Sequence, residues 1–477
     1  MVRTGRSYIN SINKLQTQIW YDGKKVTGNI SEHPAFKGVM QSQAALYDLQ
    51  AKHEQDMTFD SDLTGNKVGL SYLIPKTKED LAQRRNMIQR WAKASGGVMG
   101  RSPDYMNTVL AAFASSVDLL KGGKNCYPDR LLKFYEYASK QDLSFTHTFI
   151  NPQVNRSFLS VLNGEDTTKA KVVDRTAEGL VINGAKLLAT QGGITDEIIV
   201  FSTPGVEGED YAYSFAIPSD AKGLSFMCRE SFAYRESSFD HPLSSRFEEM
   251  DTVVIFDQVQ VPWERVFFYD NIMMATDFYV KSNFVPLTLH QIVSRQVVKL
   301  EFLLGIVLSI IDAISIQEYQ HVQSKVSEVI KGLETIRALL LHAEHAAEQN
   351  KAGVMVPDRQ KLYVALNFFQ EQYPRYAEII TILGASGMVS IPAESDFSAS
   401  MGDKLDHYLQ SSTKQGKDRV RLFRLAWDLS MSAFGSRQTL YERFFFGDPV
   451  RISRTIFNTF PKDRYIEEVN QFLHKKS

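Results

Sequence analysis

Two clusters of polar residues in the sequence carry the side chains needed for acid–base chemistry or ligand binding. The first is Gly100–Tyr105, where Arg101 is a permanent cation with five hydrogen-bond donors and Tyr105 offers a hydroxyl. The two residues are four positions apart around a predicted helix start, so we expect their side chains to reach the same space. The structural alternative is that Arg101 pairs with Asp104, which is also the predicted N-cap of that helix.

The second cluster is Thr146–Arg156, which contains His147 and lies where a helical region gives way to predicted strands. Segments at domain joins often line ligand sites. A further polar group, Arg443–Arg451, combines an aromatic run with a Gly-Asp-Pro sequence after a long predicted helix. Taken alone, each has a structural interpretation: His147 as a core histidine and Gly-Asp-Pro as a turn.

Several common catalytic motifs are absent from the sequence. There is no G-x-G-x-x-G after a strand, no P-loop, no H-E-x-x-H and no G-x-S-x-G. The Glu-x-x-His pattern of di-iron bundles occurs once, at Glu318–His321, where two copies are needed. His342–His345 could bind a metal, but this spacing more simply predicts a solvated helix face. We therefore expect no metal, and any enzymatic reactivity to come from a bound organic cofactor.

Composition narrows the choice of function further. The 477 residues include 54 Lys+Arg and 55 Asp+Glu, for a formal charge of -1, so we expect neither a nucleic-acid partner nor an acidic membrane surface. Two cysteines are too few for a disulfide scaffold or an iron–sulfur cluster, which favours a reducing, cytoplasmic location. The longest apolar stretch, Phe302–Ile311, is too short for a membrane span.

The order of predicted elements is helix, strand, helix, which predicts an α+β fold that is mostly α. We expect an N-terminal helical domain at 1–141, a middle domain at 142–270 and a C-terminal helical bundle at 271–477. This order excludes a doubly wound sheet, which needs alternating strands and helices. Four long periodic segments form the predicted bundle: Phe284–Ile316, Glu318–Asn350, Asp358–Leu383 and Lys414–Phe434.

The middle region has the period-two pattern of short strands, punctuated by prolines. Several strands at close spacing without intervening helices predict an antiparallel barrel or sandwich. One strand, Leu180–Ile182, runs into Asn183-Gly184, which is typical of a hairpin turn. The other strand candidates are Asp196–Thr203, Tyr211–Ile217 and Thr252–Phe256.

Five motifs in one order give the chain a resemblance to a known family. It resembles the oxygenase component of two-component, FAD-dependent aromatic hydroxylases of the 4-hydroxyphenylacetate 3-monooxygenase family. That family is similar in fold to acyl-CoA dehydrogenases, so the resemblance implies that the middle domain is an antiparallel β-barrel. The motifs are Gly100–Tyr105, Thr146-His147 with Asn151–Arg156, Asp240–Arg246, Val261–Val266 and Glu442–Val450.

The resemblance also implies roles for individual positions. It implies that Arg101, Tyr105 and His147 are catalytic and hold the phenolic oxygen of the substrate. A guanidinium and an imidazole beside a phenol of pKa about 10 favour the electron-rich phenolate, and a histidine of ordinary pKa about 6.5 is a suitable proton acceptor. Ser202 and Thr203 are implied to bind the substrate's other end. The implied flavin contacts are His147, Thr148, Phe149, Gln153, Val154, Asn155, Arg156, Thr190, Gly447, Asp448, Pro449 and Val450.

The reaction that the resemblance implies needs three further participants. A separate NAD(P)H-dependent flavin reductase supplies FADH2, which reacts with O2 to give a C4a-hydroperoxyflavin. This species hydroxylates a phenol ortho to its oxygen, with 4-hydroxyphenylacetate the expected substrate and 3,4-dihydroxyphenylacetate the product. The resemblance also implies a homotetramer. The alternatives are hydroxylation of another phenol such as a chlorophenol, an acyl-CoA oxidoreductase of the same fold, and a non-enzymatic helical scaffold.

Overall fold

Helices make up most of the chain in the computed structural model, which describes residues 2–154, 168–202, 204–206, 208–234 and 236–474. The mostly helical α+β prediction is therefore confirmed. The helices are α1 Gly5–Lys14, α2 Pro34–Lys52, α3 Glu54–Met57, α4 Lys78–Ala94, α5 Pro103–Ala114, α6 Pro128–Gln141, α7 Ser244–Phe247, α8 Ile272–Lys281, α9 Phe284–Ile314, α10 Gln320–His345, α11 Arg359–Gly384, α12 Glu394–Phe397, α13 Gly402–Tyr408, α14 Gly416–Ser430, α15 Ala433–Phe444, α16 Pro449–Thr459 and α17 Asp463–His474.

Most of the longer strands lie in the middle of the chain, and shorter ones lie in the flanking helical regions. The first of these short strands joins the sheet of the middle region, which the sequence did not predict. The strands are β1 Gln18–Tyr21, β2 Lys24–Lys25, β3 Thr58–Ser61, β4 Asn66–Gly69, β5 Phe145–Thr148, β6 Lys171–Arg175, β7 Gly179–Thr190, β8 Glu197–Phe201, β9 Tyr213–Pro218, β10 Leu224–Cys228, β11 Asp251–Pro262, β12 Val266–Tyr269, β13 Glu348–Gln349 and β14 Met355–Val356.

The strands of the middle region belong to two sheets. A six-stranded sheet has the order β2-β1-β10-β11-β7-β6, and a four-stranded sheet has the order β12-β9-β8-β5. Within the residues that the structure describes, the two sheets do not close into one barrel, so the predicted antiparallel barrel is not confirmed. Two pairings are also parallel, β1 with β10 and β5 with β8. The parallel β5–β8 pair matters for the site because it carries His147.

The predicted hairpin at Asn183-Gly184 is wrong. Both residues lie inside β7, where Asn183 pairs with Lys171 of β6 and Gly184 pairs with Phe256 of β11. Hydrogen bonding on both sides holds the chain extended and outweighs the local preference of Asn-Gly for a turn. Gly184 has φ +118°, and a Cβ there would lie 2.5 Å from the carbonyl oxygen of Lys169, so this position requires glycine.

The C-terminal bundle is built around α9, which packs against α4, α5, α10, α11 and α14. All side chains from Phe284 to Leu300 are buried, so the first half of α9 is core on every face. The observed bundle helices begin and end within a few residues of the predicted segments, except that the last segment is followed by the separate α15. None of the helices in the described part of the chain has the length and apolar character needed to span a bilayer.

The N-terminus is tied to the middle strands by a buried ion pair. The guanidinium of Arg3 donates to both carboxylate oxygens of Asp196, at 2.5 and 2.9 Å. Asp196 also accepts hydrogen bonds from the backbone and hydroxyl of Ser144. This pair therefore joins the start of the chain to the loops before β5 and β8, which lead into the candidate site.

Candidate active site

Arg101 and Tyr105 lie together at the N-terminus of α5, as their spacing predicted. The guanidinium carbon of Arg101 is 4.2 Å from the ring centroid of Tyr105, which is within cation–π range. The N-cap of α5 is Ser102 and not Asp104, because Pro103 occupies the first helical position, where its missing N–H costs nothing. Asp104 is buried and accepts hydrogen bonds from Ser102 and Gln291, so the alternative pairing with Arg101 is wrong.

The Arg101 side chain is enclosed by aromatic residues of α15 and its C-terminal end. It donates a hydrogen bond to the hydroxyl of Tyr441, and its guanidinium carbon is 5.4 Å from the ring centroids of both Tyr441 and Phe445. These two rings stack with centroids 4.4 Å apart. The cation therefore has neutral aromatic and hydroxyl partners, and no carboxylate among the described residues lies within ion-pair distance of it.

The backbone around Arg101 is fixed by a buried polar network. Glu249 accepts hydrogen bonds from the N–H groups of Gly100 and Arg101, at 2.8 and 2.6 Å. Gln43 and Gln191 donate to the carbonyl oxygen of Arg101. Burial raises the pKa of Glu249, although Arg437 and the two backbone donors oppose the shift. Because hydrogen bonds hold both the N–H and the carbonyl group of Arg101, the direction in which its side chain leaves the backbone is fixed.

His147 is buried on β5 and lies in the same space as Tyr105. The ring centroids of the two residues are 5.8 Å apart. His147 also stacks against Phe149, at 5.4 Å, and against Phe201 of β8, at 6.0 Å. Phe284, at the start of α9, is 5.9 Å from Phe201. Helical and strand elements thus surround the imidazole with aromatic rings.

Burial and charge leave the site's two titratable groups neutral at ordinary pH. Burial, reinforced by the charge of Arg101, holds the pKa of His147 well below its usual value. Burial also raises the pKa of Tyr105, although Arg101 opposes this shift. Neither ring nitrogen of His147 has a hydrogen-bond partner in the part of the chain that the structure describes. A neutral imidazole beside a guanidinium can accept a proton from an acidic ligand.

Ser202 does not present its hydroxyl to this space. The hydroxyl donates to the carbonyl groups of Tyr211 and Tyr213 and accepts from the backbone N–H of Tyr213. Phe201, the residue before it, packs on His147, and successive strand residues point to opposite faces. Thr203, the other residue predicted to bind the far end of a substrate, lies outside the described residues.

The predicted flavin contacts on the strands lie close to His147. Thr148 donates to the carbonyl oxygen of Leu187 on β7, at 2.8 Å. Thr190 ends β7, and its hydroxyl donates to Asp251, at 2.8 Å. Burial alone would raise the pKa of Asp251, but Arg437 and Arg229 outweigh it and hold the pKa below its usual value. The Thr190 hydroxyl is therefore oriented by an ionised carboxylate and retains its acceptor capacity.

The remaining predicted flavin contacts lie in two other segments, 153–156 and 447–450. Asp448 caps α16 by accepting from the N–H groups of Val450 and Arg451. Gly447 precedes it with φ +119° and accepts a hydrogen bond from Gln370, and Pro449 accepts one from Asn367. Gln153, Val154 and Val450 are exposed. Asn155 and Arg156 lie outside the described residues.

A link between this C-terminal segment and His147 runs through aromatic rings. Phe446 stacks on Phe284 with centroids 6.3 Å apart, and Phe284 meets Phe201 beside the imidazole. The neighbouring Phe445 packs on the Arg101 guanidinium. The aromatic run before Gly447 thus brings α15 against the residues around Arg101 and His147.

A sizeable cavity lies elsewhere in the molecule. It measures about 920 Å³, and none of the predicted site residues lines it. Its walls include residues of the Asp240–Arg246 motif, of α9 and of the loop that leads into α14. The rings around His147, in contrast, pack against one another.

Several residues around the site were not predicted from the sequence. Tyr441, Glu249 and Gln191 hold Arg101, and Phe201 and Phe284 enclose His147. For one of them, Tyr441, the sequence carries a signal, because the residue that faces it is a glycine. A Cβ on Gly100 would lie 2.2 Å from the Tyr441 hydroxyl, so a larger residue would not fit there. The metal candidate on α10 has a structural explanation: Glu344 is buried and bonded to His290 and Arg85, while His342 and His345 are exposed.

Two family profiles match almost the whole chain. One, described as 4-hydroxyphenylacetate 3-hydroxylase N terminal, matches residues 4–268, and the other, for the C terminal of the same enzyme, matches residues 275–474. A Bacillus subtilis protein named probable 4-hydroxyphenylacetate 3-monooxygenase is 54% identical over 98% of both chains. A Rhodococcus 4-nitrophenol 2-monooxygenase oxygenase component is 31% identical over 93% of this chain and 85% of that one.

The fold is similar to a solved structure over nearly its full length. That structure is the oxygenase component of 4-hydroxyphenylacetate 3-monooxygenase complexed with FAD and 4-hydroxyphenylacetate. It superposes with a TM-score of 0.93 at 42% identity, covering 99% of this chain and 98% of the other.

Proposed function

Because this chain belongs to the 4-hydroxyphenylacetate 3-hydroxylase family, we propose that it is the oxygenase component of a two-component monooxygenase. In this proposal it uses reduced FAD and O2 to convert 4-hydroxyphenylacetate to 3,4-dihydroxyphenylacetate. One observation carries the proposal: Arg101 and Tyr105, at the start of α5, meet His147 of β5 in one space walled by aromatic rings. The relatives named for this reaction support it.

The chain's own residues handle the substrate proton and exclude water. When bound, reduced FAD supplies the activated oxygen. The positive charge of Arg101 favours the phenolate form of a substrate held beside Tyr105. His147 is neutral, so its imidazole has a free lone pair for the phenolic O–H, although the same burial and charge that keep it neutral weaken it as a base. The surrounding rings keep water away, which strengthens the effect of the guanidinium on the developing negative charge.

The residues around His147 fit a flavin in their chemistry. Phe149 and Phe201 offer apolar faces for a flat ring system, and the Thr190 hydroxyl offers an acceptor at its edge. The Nε of Arg101 is buried without a hydrogen-bond partner among the described residues. Thr148, Thr190 and Gln153 would hold the flavin, with Gly447–Val450 contacting a more distant part of the cofactor.

A second candidate is hydroxylation of a different phenol. Ser202, which would meet the carboxylate of 4-hydroxyphenylacetate, has its hydroxyl bonded to the backbone of Tyr211 and Tyr213. Binding of the substrate's carboxylate end therefore depends on backbone groups or on Thr203. The relative named for 4-nitrophenol supports this candidate.

The proposal extends to the partners and organisation of the protein. A separate NAD(P)H-dependent flavin reductase supplies the reduced flavin, as the term oxygenase component in the relatives' names supports. The chain divides into 1–141, 142–270 and 271–477, with the two sheets together taking the place of the family's barrel, and it assembles as a homotetramer. Both cysteines, Cys126 and Cys228, are free, which supports a reducing, cytoplasmic location.

The test is oxygen-dependent turnover. The purified protein is mixed with FAD, NADH and an unrelated flavin reductase in air, and then with 4-hydroxyphenylacetate, 4-nitrophenol or a chlorophenol. We expect a product with one added oxygen atom, formed fastest from 4-hydroxyphenylacetate. A higher rate with another phenol would favour the second candidate. Rapid flavin reduction without oxygenation of any phenol would contradict both.

A further inference from the structure

Lys186 is a buried lysine on β7 that the mechanism above does not use. Only 2% of the residue is exposed, yet no carboxylate of the described chain lies within ion-pair distance of its ammonium group. Lys299, the other lysine buried to this extent, is paired with Glu442 at 2.7 Å. An unpaired ammonium group in the interior is costly, so its position calls for a physical reason.

Both side-chain hydrogen bonds of Lys186 go to the segment that follows His147. Its ammonium group donates to the side-chain oxygen of Asn151, at 2.8 Å, and more weakly to the carbonyl oxygen of Phe149, at 3.5 Å. The ring of Tyr213 lies on another side, with its centroid 5.4 Å away. These partners are neutral, and two of them belong to one short stretch of chain.

Two further hydrogen bonds bind the same stretch to Leu187, the residue that follows Lys186 on β7. The N–H of Leu187 donates to the carbonyl oxygen of Ile150, at 2.8 Å. The hydroxyl of Thr148 donates to the carbonyl oxygen of Leu187, also at 2.8 Å. Lys186 therefore adds a side-chain hydrogen bond to the contacts between β7 and residues 148–151, just before the segment leads to Gln153.

Burial lowers the pKa of Lys186 to about 7, because nothing negative compensates for the lost water. A methionine of similar length would avoid this cost. What methionine could not supply is a hydrogen-bond donor to Asn151, so this bond between β7 and the segment would be lost.

We propose that Lys186 is a positioning residue for the flavin, acting through Asn151. By holding Asn151 and the carbonyl group of Phe149, it sets the path of the chain between the aromatic wall at Phe149 and the predicted flavin contact Gln153. Without it, the segment keeps its backbone hydrogen bond at Ile150, but the direction of the chain from Asn151 to Gln153 is no longer fixed. The inference rests on the proposed function only in taking FAD as the ligand.

The experiment measures flavin binding, apart from turnover. FAD and anaerobically reduced FAD are titrated into the wild type, Lys186→Met and Lys186→Arg, with flavin fluorescence or absorbance as the signal. We expect Lys186→Met to weaken binding of both forms about tenfold. Lys186→Arg, which keeps the charged donor, should restore affinity to within about threefold of the wild type. Lys24→Met, an exposed lysine on β2 of the same sheet, is the control and should bind as the wild type does.

A double-mutant cycle tests whether Lys186 acts through Asn151. Asn151→Leu should weaken flavin binding as much as Lys186→Met, and the double variant should be no weaker than either single one. Equal affinity of the wild type and Lys186→Met, or losses that add in the double variant, would overturn the inference. If Lys186→Met fails to fold, Asn151→Leu and Lys186→Arg still decide it. Failure of the wild type to bind flavin would instead refute the proposed function.

Discussion

Arg101 keeps its charge available because of what surrounds it. A guanidinium paired with a carboxylate would have its field largely cancelled before a substrate arrived. Here the guanidinium rests on Tyr105 and bonds to the Tyr441 hydroxyl, while Glu249 is occupied by backbone N–H groups. The same charge helps to keep His147 neutral. In the proposed function, one residue therefore both favours a bound phenolate and keeps the imidazole neutral.

Removing either group should separate oxygen activation from hydroxylation. In Arg101→Ala and in His147→Ala, we expect the catechol yield to fall about a hundredfold, because the phenolate is no longer favoured. Flavin oxidation should continue and release H2O2. The measurement is product by chromatography against H2O2 in the same reaction. The exposed His407→Ala is the matched control, and an unchanged catechol yield in both site variants would remove the assigned roles.

Tyr441 should act on the substrate only by way of Arg101. Tyr441→Phe keeps the stack on Phe445 but removes the acceptor for the guanidinium. We expect KM for the phenol to rise about tenfold, in line with the loss of one hydrogen bond to a charged group, while the melting temperature changes little. The exposed Tyr408→Phe should leave KM unaltered. A loss confined to stability would show that Tyr441 is only a packing residue.

At the scale of elements, α9 and α15 are joined by a buried ionic cluster. Glu442 accepts hydrogen bonds from Arg295, at 2.7 and 2.9 Å, and from Lys299, at 2.7 Å. Burial opposes the ionisation of Glu442, but the charges of Arg295 and Lys299 outweigh it and lower its pKa to about 2. Because Tyr441 precedes Glu442 on α15, this cluster also fixes the helix that encloses Arg101.

The low pKa of Glu442 gives its contribution to stability a definite pH range. Its unfolded-state pKa of 4.5 is higher, so the stabilisation is complete above that pH and is lost as pH falls toward 2. We expect Glu442→Gln to lower the free energy of unfolding at pH 7 by about 3 kcal/mol. Denaturant titrations at several pH values should show this difference shrinking below pH 4.5. A difference that stays constant down to pH 3 would contradict the prediction.

At the scale of the whole molecule, the site depends on parts of the chain that are far apart in sequence. Arg101 comes from the N-terminal helices, His147 from the middle strands and Tyr441 from the bundle. Arg3 adds a further long-range contact, its buried ion pair with Asp196. Burial alone would raise the pKa of Asp196, but the hydrogen bonds and charge of Arg3 outweigh it and lower the pKa.

Breaking that tie should weaken the whole fold. Arg3→Met leaves Asp196 buried without its cation, and we expect the free energy of unfolding to fall by about 3 kcal/mol at pH 7. The matched control is Arg6→Met, since Arg6 is exposed on α1. Chemical denaturation followed by circular dichroism measures both. Equal stabilities for the two variants would mean that the pair contributes nothing.

Much of this protein was predictable from sequence because its signals are local. Helical periodicity located the bundle helices, since a buried stripe repeats along each helix whatever it packs against. The spacing of Arg101 and Tyr105 predicted that both side chains reach one space, and they do, although Arg101 precedes the N-cap Ser102 and so is not on the helix itself. The five motifs indicated the family, because several ordered matches are far more specific than one.

Tertiary structure decided the features that depend on contacts between distant segments. The extended path of Asn183-Gly184 required strands on both sides, which no local pattern contains. The bonding of Ser202 to the backbone of β9, the Tyr441 acceptor for Arg101 and the unpaired burial of Lys186 likewise depend on neighbours that fold topology alone brings together. Residue type states what chemistry a side chain can do, but burial and long-range neighbours decide its charge, its partners and the direction in which it points.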